Sequence, residues 1–150
     1  MNCNKVIEIS NHIAAYISQK ADGSFTFQSG DKLNKLIEKH KDLNNYGVYR
    51  FRANTEDGEI LYIGHSGTAS SSSKFKKQKL SKRIMLKQEG RCRQEFFEEQ
   101  IKKTENKLTS IIIEWFIIKE DEILPAYVKA LLIQEFWKEN KRLPKWNKTF

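Results

Sequence analysis

Apolar residues recur at Val6, Ile9, Ile13 and Ile17, a spacing that predicts one buried face of a helix over residues 6–17. Asp22-Gly23 marks a turn, and residues 24–28 alternate as a short strand does. A second helix is predicted from Asp31, with Leu33, Leu36 and Ile37 facing inward against the first. Residues 1–44 therefore read as an N-terminal helical extension packed on a domain spanning 45–150. Two antiparallel strands follow, over 46–51 and 59–63, and the Asp57-Gly58 pair between them is a hairpin signal. Residues 64–73 are small and polar, and their serine run reads as a mobile loop. Leu80 and Ile84 give the next helix its apolar face, with Gly90 as its stop; another helix runs over 94–103 through Phe96, Phe97 and Ile101. Residues 109–118 are dense in β-branched and aromatic side chains, which predicts a central strand. Pro125 opens a long helix through Tyr127, Val128, Leu131, Leu132, Phe136 and Trp137, and Leu143-Pro144 ends it, leaving a tail at 145–147 free to fold back.

Composition narrows the classes of partner. The 150 residues carry 27 basic and 19 acidic side chains, a formal charge of +8, which favours anionic partners and is silent on fold. Cys3 and Cys92 read as free thiols of a reducing compartment. His12, His40 and His65 are scattered, without zinc-ligand spacing. The first ten residues are too polar for a signal peptide, and the apolar run at 111–118 is too short to span a bilayer. A cytoplasmic protein with no membrane partner is the expectation.

The charge is concentrated. Between Lys74 and Arg93 stand nine basic residues and one acidic residue, Glu89. Lys74, Lys76, Lys77, Lys79, Lys82, Lys87, Arg91 and Arg93 are candidate contacts to a nucleic-acid backbone, where each neutralised phosphate releases counterions. Arg83 sits beside the stripe of Leu80 and Ile84, so its planar fork can turn toward the hairpin and a phosphate. Alternation leaves open whether Tyr49 and Tyr62 share a face; if they do, two phenols converge. A phenol with a reference pKa of about 10 needs activation before it can act as a base. His65, just beyond the second strand, is the residue suited to relaying a proton.

Taken in order, Gly47-Val48-Tyr49, Tyr62-Ile63-Gly64, Leu80-Ser81-Lys82-Arg83 and Pro144-Lys145-Trp146-Asn147 resemble the motifs of the GIY-YIG nuclease family over roughly residues 45–147. The resemblance implies a mixed α/β (α+β) domain: a small three-stranded antiparallel sheet flanked by helices. It also implies hydrolysis of phosphodiester bonds with one divalent cation, Mg2+ or Mn2+. By motif, Tyr49 would help deprotonate the attacking water with His65, Tyr62 and Arg83 would orient the phosphate, and Asn147 would hold the site together. The family's metal-binding glutamate precedes a paired apolar motif by three residues, a place held here by Val128 or Lys129 depending on register. Glu135, twelve residues before Asn147, is the candidate metal ligand in their stead. The implied function is a metal-dependent endonuclease acting on DNA more readily than RNA. Two alternatives stand beside it: a catalytically inactive nucleic-acid-binding protein of the same fold, and a protein-interaction domain built on that scaffold. A homodimer and a protein partner are compatible with all three.

Overall fold

The computed structural model of the chain describes residues 20–150 apart from 56, 77 and 120–122, with backbone only at 73 and 74. The helix expected over 6–17 and the side chains of Lys74 and Lys77 lie outside the described residues.

Four antiparallel strands form the main sheet: β1 (Gly23–Gln28), β2 (Gly47–Ala53), β3 (Ile60–His65) and β6 (Ser110–Ile117), in the order β1-β6-β2-β3. The sheet thus has one strand more than the three expected. The short alternating segment at 23–28 adds itself to β6, pairing Gly23 with Trp115 and Phe27 with Ile111. β6 is the isoleucine-rich run, and it lies centrally with both faces buried, the second carrying Glu114 paired with Arg50 and Arg52 of β2. Ile111, Ile113 and Trp115 face one layer and Phe116 the other, all buried.

Helices cover both faces. On the first lie α1 (Leu33–Glu38), α2 (Leu80–Ile84) and α3 (Arg93–Lys102), whose Leu33, Ile37, Leu80, Ile84, Phe96 and Phe97 enclose Phe27, Tyr49, Phe51 and Trp115. At roughly 1.5–3 kcal/mol for each large side chain removed from water, this layer dominates the fold's stability. On the second face α4 (Pro125–Asn140) packs Val128 against Val48 and Phe116. Ile133 and Phe136 of the same helix are also buried, whereas Trp137 is 46% exposed. Among the described residues no helix is long and apolar enough to cross a membrane.

The serine-rich stretch differs from expectation. It forms a hairpin of β4 (Thr68–Ser70) and β5 (Ser73–Lys76), pairing Ala69 with Phe75. Phe75 holds it down: the ring is buried and meets Tyr46 edge-on at 5.7 Å between centroids. One aromatic among polar residues leaves no periodic trace in the sequence.

Candidate nucleic-acid interface

Backbone geometry brings the two tyrosines together. Pairing of Tyr49 with Gly64 and of Phe51 with Tyr62 puts both phenols on the α2–α3 face, with ring centroids 6.0 Å apart. Two glycines make room. A Cβ on Gly64 would overlap the Tyr49 phenol, and one on Gly47 would overlap the Phe116 carbonyl across the β2–β6 ladder. The glycine of each tyrosine-bearing motif therefore answers to a close approach.

Tyr49 is 1% exposed, and its hydroxyl faces the Arg83 carbonyl oxygen at 3.5 Å. Burial, and secondarily the neighbouring Tyr62 phenol, push its pKa up to about 12, while Arg93 and Arg83 pull the other way. At neutral pH Tyr49 is a protonated phenol and a poor base. The role of activating water, assigned to it by resemblance, does not suit this environment.

His65 closes β3, and with Ser66, Gly67, Thr68, Gln78 and Arg83 it lines a cleft of about 430 Å³. The cleft's floor is anchored, because Ser66 N–H donates to the Gly47 carbonyl at 2.9 Å and Gly47 N–H donates to Ser66 Oγ at 3.2 Å. Arg83 Nε donates to the His65 carbonyl at 3.1 Å, which fixes the guanidinium at the rim. His65 Nδ1 is buried without a hydrogen-bond partner. Burial first, then the charges of Lys129 and Arg83, push its pKa down to about 4, so the ring is neutral at pH 7. Lys129, half-buried on α4, is itself shifted below the usual lysine range by burial and by Arg83. Three basic side chains from a strand, a short helix and the long helix thus sense one another's charge.

The C-terminal tail folds back onto β3. Asn147 is buried; its Oδ1 accepts from Ile63 N–H at 2.9 Å and its Nδ2 donates to the Ile63 carbonyl at 3.0 Å. One side-chain amide thereby satisfies the outward-facing backbone of β3 between Tyr62 and Gly64. Trp146 N–H donates to the Leu61 carbonyl at 2.9 Å, extending the contact.

The basic stretch divides. Lys76, Lys79, Lys82, Lys87 and Arg91 are exposed, and Arg91 pairs with Glu99. Arg93, expected on the surface, is 3% exposed: its guanidinium lies over the Phe51 and Tyr62 rings at 4.9 and 5.2 Å from their centroids. Its Nε donates to the Leu86 carbonyl at 3.1 Å, and Nη1 is buried without a partner. The turn before α3 tucks this first helical residue under the tyrosines, which charge density alone could not reveal.

Glu135 is exposed on α4 and pairs with Lys138 at 3.5 Å. Among the described residues no three His, Cys, Asp or Glu side chains gather as a metal site. Magnesium and manganese are held best by carboxylate oxygens, and no carboxylate lines the cleft, whose charged side chain is the Arg83 guanidinium beside His65 and the neutral Ser66, Thr68 and Gln78. That lining fits an anion better than a divalent cation. Comparisons with known protein families, with curated proteins and with solved structures find no match for this chain.

Proposed function

We propose that this chain engages the phosphodiester backbone of DNA at the His65–Arg83 cleft and hydrolyses it as an endonuclease. The observation that carries the reading is the cleft at the end of β3, lined by His65 and Arg83, with the Arg83 carbonyl meeting the buried Tyr49 hydroxyl. Arg83 offsets the charge that grows on the phosphate oxygens in the transition state. His65 is neutral and lines the cleft, so it is the side chain assigned to take a proton from the attacking water. As the water oxygen bonds to phosphorus, the bond to the departing strand breaks, and that strand's oxygen takes a proton from solvent. Lys76, Lys79, Lys82 and Lys87 follow the backbone to either side. The exposed Glu135 is the carboxylate on which a requirement for Mg2+ or Mn2+ would rest.

A second reading, binding without cleavage, is favoured by Lys129, which stands at one of the places where the resemblance puts a glutamate. Supercoiled plasmid incubated with Mg2+, with Mn2+ or with EDTA distinguishes the two, using wild type, Arg83→Ala and Glu135→Ala. Nicking by wild type that is lost in Arg83→Ala is the expected result. Its parallel loss in Glu135→Ala and in EDTA would make Glu135 the metal ligand. Salt-sensitive binding with no nicking under any condition refutes hydrolysis and leaves the binding reading.

A further inference from the structure

We infer that Phe150 stacks on an unpaired base of the bound strand, next to the phosphate that Arg83 meets in the cleft, so that the site takes an unpaired strand in preference to a continuous duplex. The inference rests on the proposed nucleic-acid reading and names the form of strand concerned. Its first support is position. The outer edge of β3 presents Leu61, Ile63 and His65 in turn. Their carbonyl oxygens accept from Trp146 N–H at 2.9 Å, from Asn147 Nδ2 at 3.0 Å and from Arg83 Nε at 3.1 Å. Alternate residues of a strand stand about 6.6 Å apart, so Asn147 sits one such step from the place where Arg83 crosses the edge. The tail runs toward the cleft, since residue 146 meets 61 and residue 147 meets 63. Phe150 is three residues further on, within roughly 10 Å. Its ring lies beside α4, with Lys129 Nζ 5.9 Å from the ring centre. Lys129 follows Val128, which packs against Val48, and Val48 pairs with His65 across the β2–β3 ladder. Both routes lead to one corner, where β3 gives way to the cleft.

The second support is exposure on an anchored segment. Phe150 is 71% exposed, more than Trp137, Leu124 or Met85, yet the tail that carries it is tied down. Trp146 and Asn147 hold β3, and Lys148 pairs with Glu89 at 2.8 Å. A ring held in water in this way is open to a flat partner, and a nucleobase of any identity is one, because every base has a π-face. Bases inside a duplex are stacked on one another and offer the ring no face; an unpaired base does. The Lys129 ammonium beside the ring supplies a charge for the backbone joined to that base.

Fluorescence anisotropy tests this in EDTA, with phosphorothioate linkages so that the strand is not cut. A short single strand is compared with a blunt duplex of the same sequence, on wild type, Phe150→Ala and Phe150→Trp. Phe150→Ala is expected to bind the single strand about tenfold more weakly than wild type and the duplex equally well. Its slope of log affinity against log salt should stay at the wild-type value, since stacking releases no counterions. Phe150→Trp should restore the affinity. Unchanged single-strand affinity in Phe150→Ala overturns the inference and leaves the proposed function standing. An equal loss on strand and duplex overturns the unpaired base. Failure of wild type to bind either form, with circular dichroism showing a folded protein, overturns the nucleic-acid reading itself.

Discussion

Replacing Asn147 by alanine removes an acceptor and a donor at one stroke, and both served the same residue. The two bonds to Ile63 measure 2.9 and 3.0 Å and lie in a buried environment. Truncation leaves the Ile63 N–H and C=O unpaired, each at about 1–3 kcal/mol when buried. Some water will reach an edge strand, so a total loss of about 2–4 kcal/mol is expected. On a chain of this size that lowers Tm by roughly 5–15 °C. Urea unfolding followed by circular dichroism reads the change as a lower midpoint at constant m. Asn147→Asp separates the two bonds. It keeps the acceptor but turns a second oxygen toward the Ile63 carbonyl, so it should cost as much as alanine at pH 7. Recovery is expected at low pH, where the neutral acid can donate again. A loss below about 0.5 kcal/mol for Asn147→Ala, or wild-type stability for Asn147→Asp at pH 7, would refute the view that this amide completes the sheet edge.

Two further outcomes follow from the site. His65 should titrate near pH 4 by NMR. Its unfolded pKa is about 6.5, so between these values the unfolded chain binds the extra proton; stability falls as pH drops through that window and changes no further below it. His65→Gln should flatten this limb, and a native pKa near 6.5 would refute the burial argument. For DNA binding, Lys82→Ala and Lys87→Ala should each reduce the slope of log affinity against log salt by about 0.9, because both side chains are exposed. Arg93→Met should leave the slope unchanged, since the guanidinium is committed to the Phe51 and Tyr62 rings; an equal reduction would place Arg93 at the phosphate surface instead.

The strands were legible wherever chemistry and period coincide. β-branched density marked β6, and the Asp-Gly pair between two alternating runs marked the β2–β3 hairpin. Parity posed the question of Tyr49 and Tyr62, and the register answered it: Tyr49 opposes Gly64 and Phe51 opposes Tyr62. The β4–β5 hairpin was illegible because Phe75 alone secures it. Burial of Arg93 was hidden because an arginine in a run of cations looks like its neighbours, and only the packing of α3 separates them. Lys129 was visible by position but not by role, which depends on the reach of its charge from α4 to a strand end and to α2.

The strand that joins the sheet together is also the last one in the chain. β1 and β2 both hydrogen-bond to β6 and not to each other, so as the polypeptide leaves the ribosome Gly23–Gln28 has no sheet partner until Ser110–Ile117 has emerged. Until then Phe25 and Phe27 sit on an unpaired segment with only local partners, such as the His40 ring on which Phe25 stacks. Closure of the sheet is therefore a late, long-range event, the kind that folds slowly and keeps a nascent chain in need of shielding. The tyrosine hairpin, in contrast, is complete within one short stretch and can form early.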